Sequence, residues 1–286
     1  MISDIISRKS SILQQRMSAN IFKDHVVVIT GASSGIGREL ALQLAKQGAF
    51  LSVAARDTRR LADLKQKCDE LGGRIIAIPT DVSKQDQCAL LIRKTLEAYQ
   101  RIDVLINNAG LSMYGKFEDV KDLGLFDSLM KVNYFGSVYC THYALPHLQH
   151  TRGRIVGISS LTGKTGVPTR SGYAASKHAM AGFFDSLRIE LADSGVTVTM
   201  IYPGFVATEM RERALDISGK PLGKSHLNES KVMPVERCAQ MILEAAEKRK
   251  RELVMTSKGK IGLWLKLIAP AFVDRVARKA IISGRT

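Results

Sequence analysis

The chain has 286 residues, of which 45% are hydrophobic and 6% aromatic, enough to bury a substantial core. Lys and Arg number 42 against 27 Asp and Glu, a net charge of +15 that favours anionic partners; since the chain carries no nucleic-acid reader motif, phospholipid is expected and nucleic acid is not. Cys68, Cys88, Cys140 and Cys238 show neither paired nor metal-ligand spacing, which excludes a disulfide scaffold and a cysteine-held metal, and they read as reduced, mostly buried thiols.

In chain order, residues 1–20 form a polar N-terminal extension without an apolar core of signal-peptide length. No run anywhere reaches the ~18 to 20 apolar residues of a spanning helix, so the expected location is cytoplasmic. The apolar run Val26-Val27-Val28-Ile29 predicts a first strand, and residues 38–47 a first helix. Between them lies Thr30-Gly31-Ala32-Ser33-Ser34-Gly35-Ile36-Gly37. Strand, glycine turn and helix in that order grip a dinucleotide pyrophosphate: the backbone comes close, and free N–H groups at the helix start face the negative charge.

The alternation then repeats. Strands are predicted over residues 50–55, 75–78, 104–106, 155–158 and 196–201, and helices over 57–71 and 85–99. Two long helices follow, near 125–147 and 172–193. Unbroken apolar strands alternating with helices give an α/β fold, a doubly wound parallel sheet covered on both faces, with the ligand crevice at the carboxyl ends of the strands. Residues 211–230 are polar and aperiodic and read as a loop or lid near the site, and Pro234 opens a helix to about residue 248.

The chemistry gathers at strand ends. Tyr173 and Lys177 are four residues apart on one helix face. A lysine cation beside a phenol stabilises the phenolate and brings the phenol nearer to a working pKa. Taken alone, four-residue Tyr/Lys spacing is common and reads first as a surface tyrosine and lysine of an amphipathic helix. Ser160, just past the fifth strand and thirteen residues before Tyr173, can reach the same cleft, or it can be a turn residue. Asn107-Asn108-Ala109-Gly110 closes the fourth strand, where small residues and an amide suit a ribose or adenine, and Asp81-Val82 closes the third. Asn133 sits in a long helix that it mildly disfavours, which asks for a local reason.

Together these residues make the chain resemble a classical short-chain dehydrogenase/reductase over roughly residues 20–250. The family's glycine motif matches residues 30–37, its NNAG motif 107–110, its YxxxK motif 173–177, and the serine–tyrosine spacing and Pro203-Gly204 also match. The resemblance implies a single Rossmann-type catalytic domain, 21–256, with a substrate loop at 205–233, and residues 257–286 beyond it read as a basic amphipathic tail. It implies a catalytic tetrad of Asn133, Ser160, Tyr173 and Lys177. In that carry-over Ser160 orients the substrate oxygen and Tyr173 exchanges its proton. Lys177 holds the nicotinamide ribose and depresses the phenol, Asn133 anchors a relay water, and no metal takes part. It further implies that Gly31, Ser33, Ser34, Gly35, Ile36, Gly37, Arg56, Asp81, Val82, Asn108, Ala109, Gly110, Tyr173, Lys177, Pro203, Gly204, Val206 and Thr208 hold a nicotinamide dinucleotide.

The second strand ends Ala54-Ala55-Arg56-Asp57. Alanine replaces the acid that bonds the ribose of NAD, and Arg56 suits the 2′-phosphate, so NADP(H) is the expected cofactor. Asp57 reads as the cap of the next helix. The second basic residue that the family often carries in the glycine motif is absent, because Ser34 stands there. Local stretches such as residues 47–50, 115–119 and 133–137 resemble the hydroxysteroid-dehydrogenase-like and 3-ketosphinganine-reductase-like branches, and residues 170–178 with 183–185 resemble the member-7-type dehydrogenase/reductases. Both imply a hydrophobic, lipid- or steroid-like carbonyl substrate. The resemblance also implies a homodimer or homotetramer formed by the two long helices, with Phe126, Leu129, Tyr139, Phe183 and Phe184 as candidate contacts.

From Lys248 onward eleven basic residues face two acidic ones, a surplus of nine. Trp264, Leu265, Leu267 and Phe272 punctuated by cations read as an interfacial helix on anionic membrane, or as a segment packed on the body, with Pro270 dividing it. Two function classes stand beside each other: an NADP(H)-dependent oxidoreductase, and a non-catalytic NADP(H)-binding regulator or scaffold on the same fold. An intact tetrad is what separates them.

Overall fold

The computed structural model describes residues 21–223 and 232–282. The extension 1–20, residues 224–231 of the expected substrate loop and residues 283–286 of the tail lie outside the described residues.

Seven strands form one parallel sheet. β1 (Val26–Thr30), β2 (Phe50–Ala55) and β3 (Arg74–Pro79) run outward in one direction. β4 (Val104–Asn107), β5 (Arg154–Ile158), β6 (Thr197–Tyr202) and β7 (Glu252–Val254) run outward in the other, giving the order β3-β2-β1-β4-β5-β6-β7. Every residue of β1 is buried, as expected of a strand covered on both faces, where β-branched side chains pack well. Register is tight at the centre: Ile29 lies beside Val53 on one flank and Ile106 on the other.

The helices divide between the two faces. On one, α1 (Gly35–Lys46), α2 (Thr58–Glu70) and α7 (Val235–Glu247) bury Leu40, Leu44, Leu61, Leu64 and Ile242 against Val27, Ile29, Leu51 and Val53. On the other, α3 (Gln85–Tyr99), α5 (Gly136–Thr151) and α6 (Ser171–Glu190) bury Leu91, Leu148 and Phe184 against Val28, Leu105 and Ile155. Such aliphatic burial contributes about 1.5 to 3 kcal/mol per side chain relative to exposure. All four cysteines are buried and free, in keeping with the sequence reading.

Three details depart from the sequence expectations. The first helix starts at Gly35, three residues earlier than predicted, because the glycine turn itself opens it. The helix expected near 125–147 is α4 (Gly124–Met130) and α5, joined by a wide turn over Lys131–Phe135 in which the Gly136 N–H reaches the Lys131 carbonyl. β7 was not predicted: it is three residues long and follows a basic run, so it shows no apolar alternation, yet it pairs with β6 along the sheet edge. Beyond it α8 (Ser257–Ile268) and α9 (Pro270–Ile282) divide at Ala269, where Pro270 cannot continue the ladder.

Candidate active site

Strand order reverses between β1 and β4, and the crevice above their carboxyl ends is where such sheets take ligands. The β1–α1 turn fills one side of it. Gly31 has φ +67°, a left-handed conformation, and a methyl group there would lie 2.7 Å from Ala109 Cα. A methyl group on Gly37 would lie 2.4 Å from Asn108 Nδ2 and 2.5 Å from Gly31 O. The turn is therefore wrapped as tightly as backbone allows. Ser34 caps α1 without its hydroxyl taking up a helix N–H, and the first turn of α1 has no acidic residue, so its free N–H groups and the positive end of the helix are open to an anion.

The turn is braced from β4. The Thr30 hydroxyl accepts from the Asn108 and Ala109 N–H groups, both at 3.0 Å, and Asn108 Nδ2 donates to Thr30 O at 2.9 Å and Gly31 O at 3.1 Å. The Asn108 amide is thus committed to fixing the turn. Asp81 accepts from Ser83 N at 3.0 Å and Ser83 Oγ at 2.8 Å, shaping the loop after β3, and Val82 is buried against Gly136. At the end of β2, Ala55 is buried and Arg56 exposed. Asp57 caps α2 by accepting from Arg60 N at 3.0 Å, as expected. The loop after β6 covers the crevice: Pro203 O accepts from Leu161 N at 3.0 Å, Gly204 lies against Thr256, Val206 pairs with Met233, and the Thr208 methyl would touch a Cβ on Gly35 at 3.1 Å.

The four residues of the expected tetrad converge opposite this turn. Lys177 is 2% exposed and donates from Nζ to Ile158 O at 2.8 Å. A Cβ on Gly110 would lie 3.6 Å from Lys177 Nζ and 3.4 Å from Asn133 Oδ1, which places NNAG, Asn133 and Lys177 in one corner. Burial draws the Lys177 ammonium down to about 8. Tyr173 is buried, with its phenol facing Ser160 and Thr162. Burial pushes the phenol above its ordinary value, against the pull of Ser160, Arg170 and Thr162. Lys177 Nζ stands 6.0 Å from the ring centroid and points to a carbonyl, so the expected lysine-driven depression of the phenol is overridden by desolvation.

Asn133 explains its own position. It sits in the wide turn, fully buried, and its Oδ1 accepts from Leu111 N at 2.7 Å. Its Nδ2 donates to Leu111 O and Ser176 Oγ, both at 2.8 Å. The carboxamide is thus committed to holding the segment after β4 against α6. Ser160 Oγ accepts from Thr162 N at 3.2 Å, while the neighbouring Ser159 turns away to Lys177 O.

Sequence reasoning missed Thr30, Thr162, Ser176 and Arg170. The first three lie within or beside motifs already singled out; the Thr30 and Ser176 hydroxyls meet partners far along the chain that spacing does not reveal. Arg170 donates to Ser112 Oγ at 3.2 Å, lies over the Tyr114 ring, and is drawn below its ordinary pKa by burial. Tyr173 packs in a small apolar cluster with Met113, Leu125 and Leu129, to which Leu215 is added from the loop. A further cleft of about 430 Å³ lies between the segment 166–174 and Asp274 and Ala277 of α9, so the tail reaches the neighbourhood of Tyr173.

The cradle of glycines, the open helix start and the buried Lys177 fit a nicotinamide dinucleotide in shape and charge. Comparison with known proteins agrees with this frame. The sequence profile of the family described as short chain dehydrogenase matches residues 25–217. "Dehydrogenase/reductase SDR family protein 7-like" of Dictyostelium discoideum is 35% identical over 264 residues, covering 90% of this chain and 82% of that one. "11-beta-hydroxysteroid dehydrogenase A" of Sesamum indicum is 34% identical over 262 residues, covering 88% and 74%. Among solved structures, a short chain dehydrogenase/reductase from Burkholderia phymatum in complex with NAD superposes with a TM-score of 0.78 at 24% identity, covering 88% of this chain and 95% of that one. An alcohol dehydrogenase from Thermococcus sibiricus complexed with 5-hydroxy-NADP superposes with a TM-score of 0.70 at 27% identity, covering 81% and 95%. With its profile, its relatives and its fold in agreement, the chain belongs to the classical short-chain dehydrogenase/reductase family of oxidoreductases and is similar to members named hydroxysteroid dehydrogenase.

Proposed function

We propose that the protein is an NADP(H)-dependent oxidoreductase that reduces a carbonyl, or oxidises the matching secondary alcohol, of a hydrophobic lipid- or steroid-like substrate. The observation that carries this reading is the convergence of Ser160, Tyr173 and Lys177 opposite the glycine turn. A bound nicotinamide supplies or accepts a hydride at its C4. The chain's residues do the rest. Ser160 donates a hydrogen bond to the substrate oxygen and Tyr173 gives that oxygen its proton. A phenol held above its ordinary pKa is fully protonated at neutral pH, which suits the reductive direction. Lys177 keeps donors beyond its bond to Ile158 O for a ribose hydroxyl, and Asn133 works by position. The apolar cluster of Met113, Leu125, Leu129 and Leu215 around Tyr173 supports a hydrophobic substrate.

The preference for the phosphorylated cofactor rests on the end of β2. Ala55 offers no carboxylate to a ribose, Arg56 is exposed, and Asp57 is occupied as a cap. The test is to follow NADPH and NADH consumption over steroids, retinoids, long-chain 3-keto lipids and quinones. Turnover of at least one hydrophobic ketone class with NADPH preferred is expected. Tight cofactor binding without turnover of any class would instead support the non-catalytic regulator.

Two association properties belong to the same proposal. Tyr134, Phe135, Tyr139 and Phe183 form an aromatic cluster along the wide turn, α5 and α6, with Phe135 exposed, while Leu129 and Phe184 of the expected contacts are fully buried. This surface supports a homodimer or homotetramer, and a monomer by light scattering at micromolar concentration would refute it. The tail supports peripheral contact with anionic membrane. Ile261, Trp264, Leu267, Ile268, Phe272 and Val276 are exposed on α8 and α9, and among the described residues no helix is long and apolar enough to cross a membrane.

A further inference from the structure

Ser34 occupies the place in the glycine motif where a basic residue would meet a 2′-phosphate, yet a guanidinium stands at that place. Arg213, from the loop after β6, donates from Nη1 to Ser34 Oγ at 3.0 Å. Its Nη2 meets Glu209 Oε2 at 2.5 Å. Arg60 Nη1, from the first turn of α2, meets the same carboxylate oxygen at 2.7 Å. Two guanidinium groups from distant parts of the chain thus converge on one oxygen, between the glycine turn and the β2–α2 connection. That corner is where the adenosine ribose of a dinucleotide lies on this fold. Arg56 directly follows β2 and precedes the Asp57 cap of α2, and among the described residues nothing pairs with its side chain. Glu209 is shared by two arginines and Asp57 is engaged by the backbone and side chain of Arg60, so cations outnumber the acids at this corner.

Arg213 is held there by its own segment. Ala207 N donates to Met233 O and Met233 N to Phe205 O, both at 3.0 Å, which closes the base of the loop. Leu215 N donates to Ser112 O and Tyr114 N to Leu215 O, both at 2.8 Å, which ties its far side to the segment after β4. Glu209 and Arg213 lie on one turn, with Arg213 N donating to Glu209 O at 3.1 Å. The segment is thus fixed at both ends, and the Arg213 guanidinium it carries is held by Ser34 at Nη1 and by Glu209 at Nη2, so that a phosphate would take over from the Glu209 carboxylate on it.

We propose that Arg213 is a 2′-phosphate ligand supplied by the substrate loop, replacing the cation missing at Ser34, with Arg60 as its neighbour on the same phosphate. This inference rests on the NADP(H) reading above. It makes the loop part of cofactor selection as well as of the substrate pocket, since Leu215 of the same loop packs on the apolar cluster around Tyr173.

The test titrates the full chain with NADPH and, separately, with NADH, following cofactor fluorescence on binding. For Arg213→Ala, NADPH affinity should fall about tenfold or more, the scale of a lost charge-assisted bond, while NADH affinity stays within about twofold. Arg213→Lys should fall in between. Adding Ser34→Lys to Arg213→Ala should restore most of the NADPH preference, because it returns a cation to the same corner. NADPH affinity unchanged in Arg213→Ala, an equal loss for both cofactors, or no recovery by Ser34→Lys would overturn the proposal. A wild-type chain that binds both cofactors equally would instead overturn the NADP(H) reading on which it stands.

Discussion

At the residue scale, the site depends on two buried groups whose protonation the fold has shifted. Lys177 titrates at about 8 when folded, below the ordinary 10.5, because burial disfavours the ammonium. The unfolded chain therefore binds more protons between those values. Lys177 costs stability below about 8, and that cost is relieved as pH rises towards 10.5. For function the sign is opposite, since a ribose needs the charged donor. The NADPH affinity of the free enzyme, and with it kcat/KM for reduction, should fall along a one-proton limb above about pH 8. A profile flat well beyond that value would show that the ammonium persists. Asn133 was legible because an asparagine is out of place in a plain helix, whereas Tyr173, Lys177 and Ser160, each ordinary taken alone, were legible through the motifs and spacing that the chain shares with short-chain dehydrogenases/reductases. Arg213 was not. Its meaning lies in a contact with Ser34 that no spacing encodes, since the loop that makes it has no periodic pattern.

At the scale of elements, the six longer strands and their helices were legible because each strand is an apolar run bounded by turn residues. β7 was hidden by its length and its basic flank, and the wide turn at Lys131–Phe135 leaves no trace in hydrophobic spacing beyond an asparagine in an unfavourable place. The β1–α1 turn offers the sharpest element-level prediction. Gly37→Ala puts a methyl group 2.4 Å from Asn108 Nδ2 and 2.5 Å from Gly31 O, in backbone that cannot retreat. Thermal unfolding should show a loss of about 1 to 3 kcal/mol, the range for overpacking, with NADPH binding weakened as the turn opens. Gly262→Ala in α8, where a methyl group meets nothing within 4 Å, should leave cofactor binding unchanged and stabilise slightly by helix propensity. Equal behaviour of the two variants would contradict the packing account of the glycine turn.

At the scale of the whole molecule, two helices carry exposed apolar side chains and cations past the edge of the sheet, beside the cleft at residues 166–174. Deleting residues 258–286 should reduce binding to anionic vesicles, to which each basic residue near the surface contributes about 1 kcal/mol. It should also lower activity on long-chain ketones more than on small ones. Unchanged vesicle binding would leave the tail a packing role alone. The sequence disclosed the tail's charge and apolar content but not its approach to Tyr173, which follows from the return of the chain along β7. The central claim, that Tyr173 exchanges the substrate proton at a dinucleotide site, is tested most directly by the turnover of Tyr173→Phe on a ketone that the wild type reduces. NADPH affinity is measured on the same sample. The account predicts turnover lower by at least about 10²-fold with NADPH affinity barely changed, and near-normal turnover in that variant would contradict it.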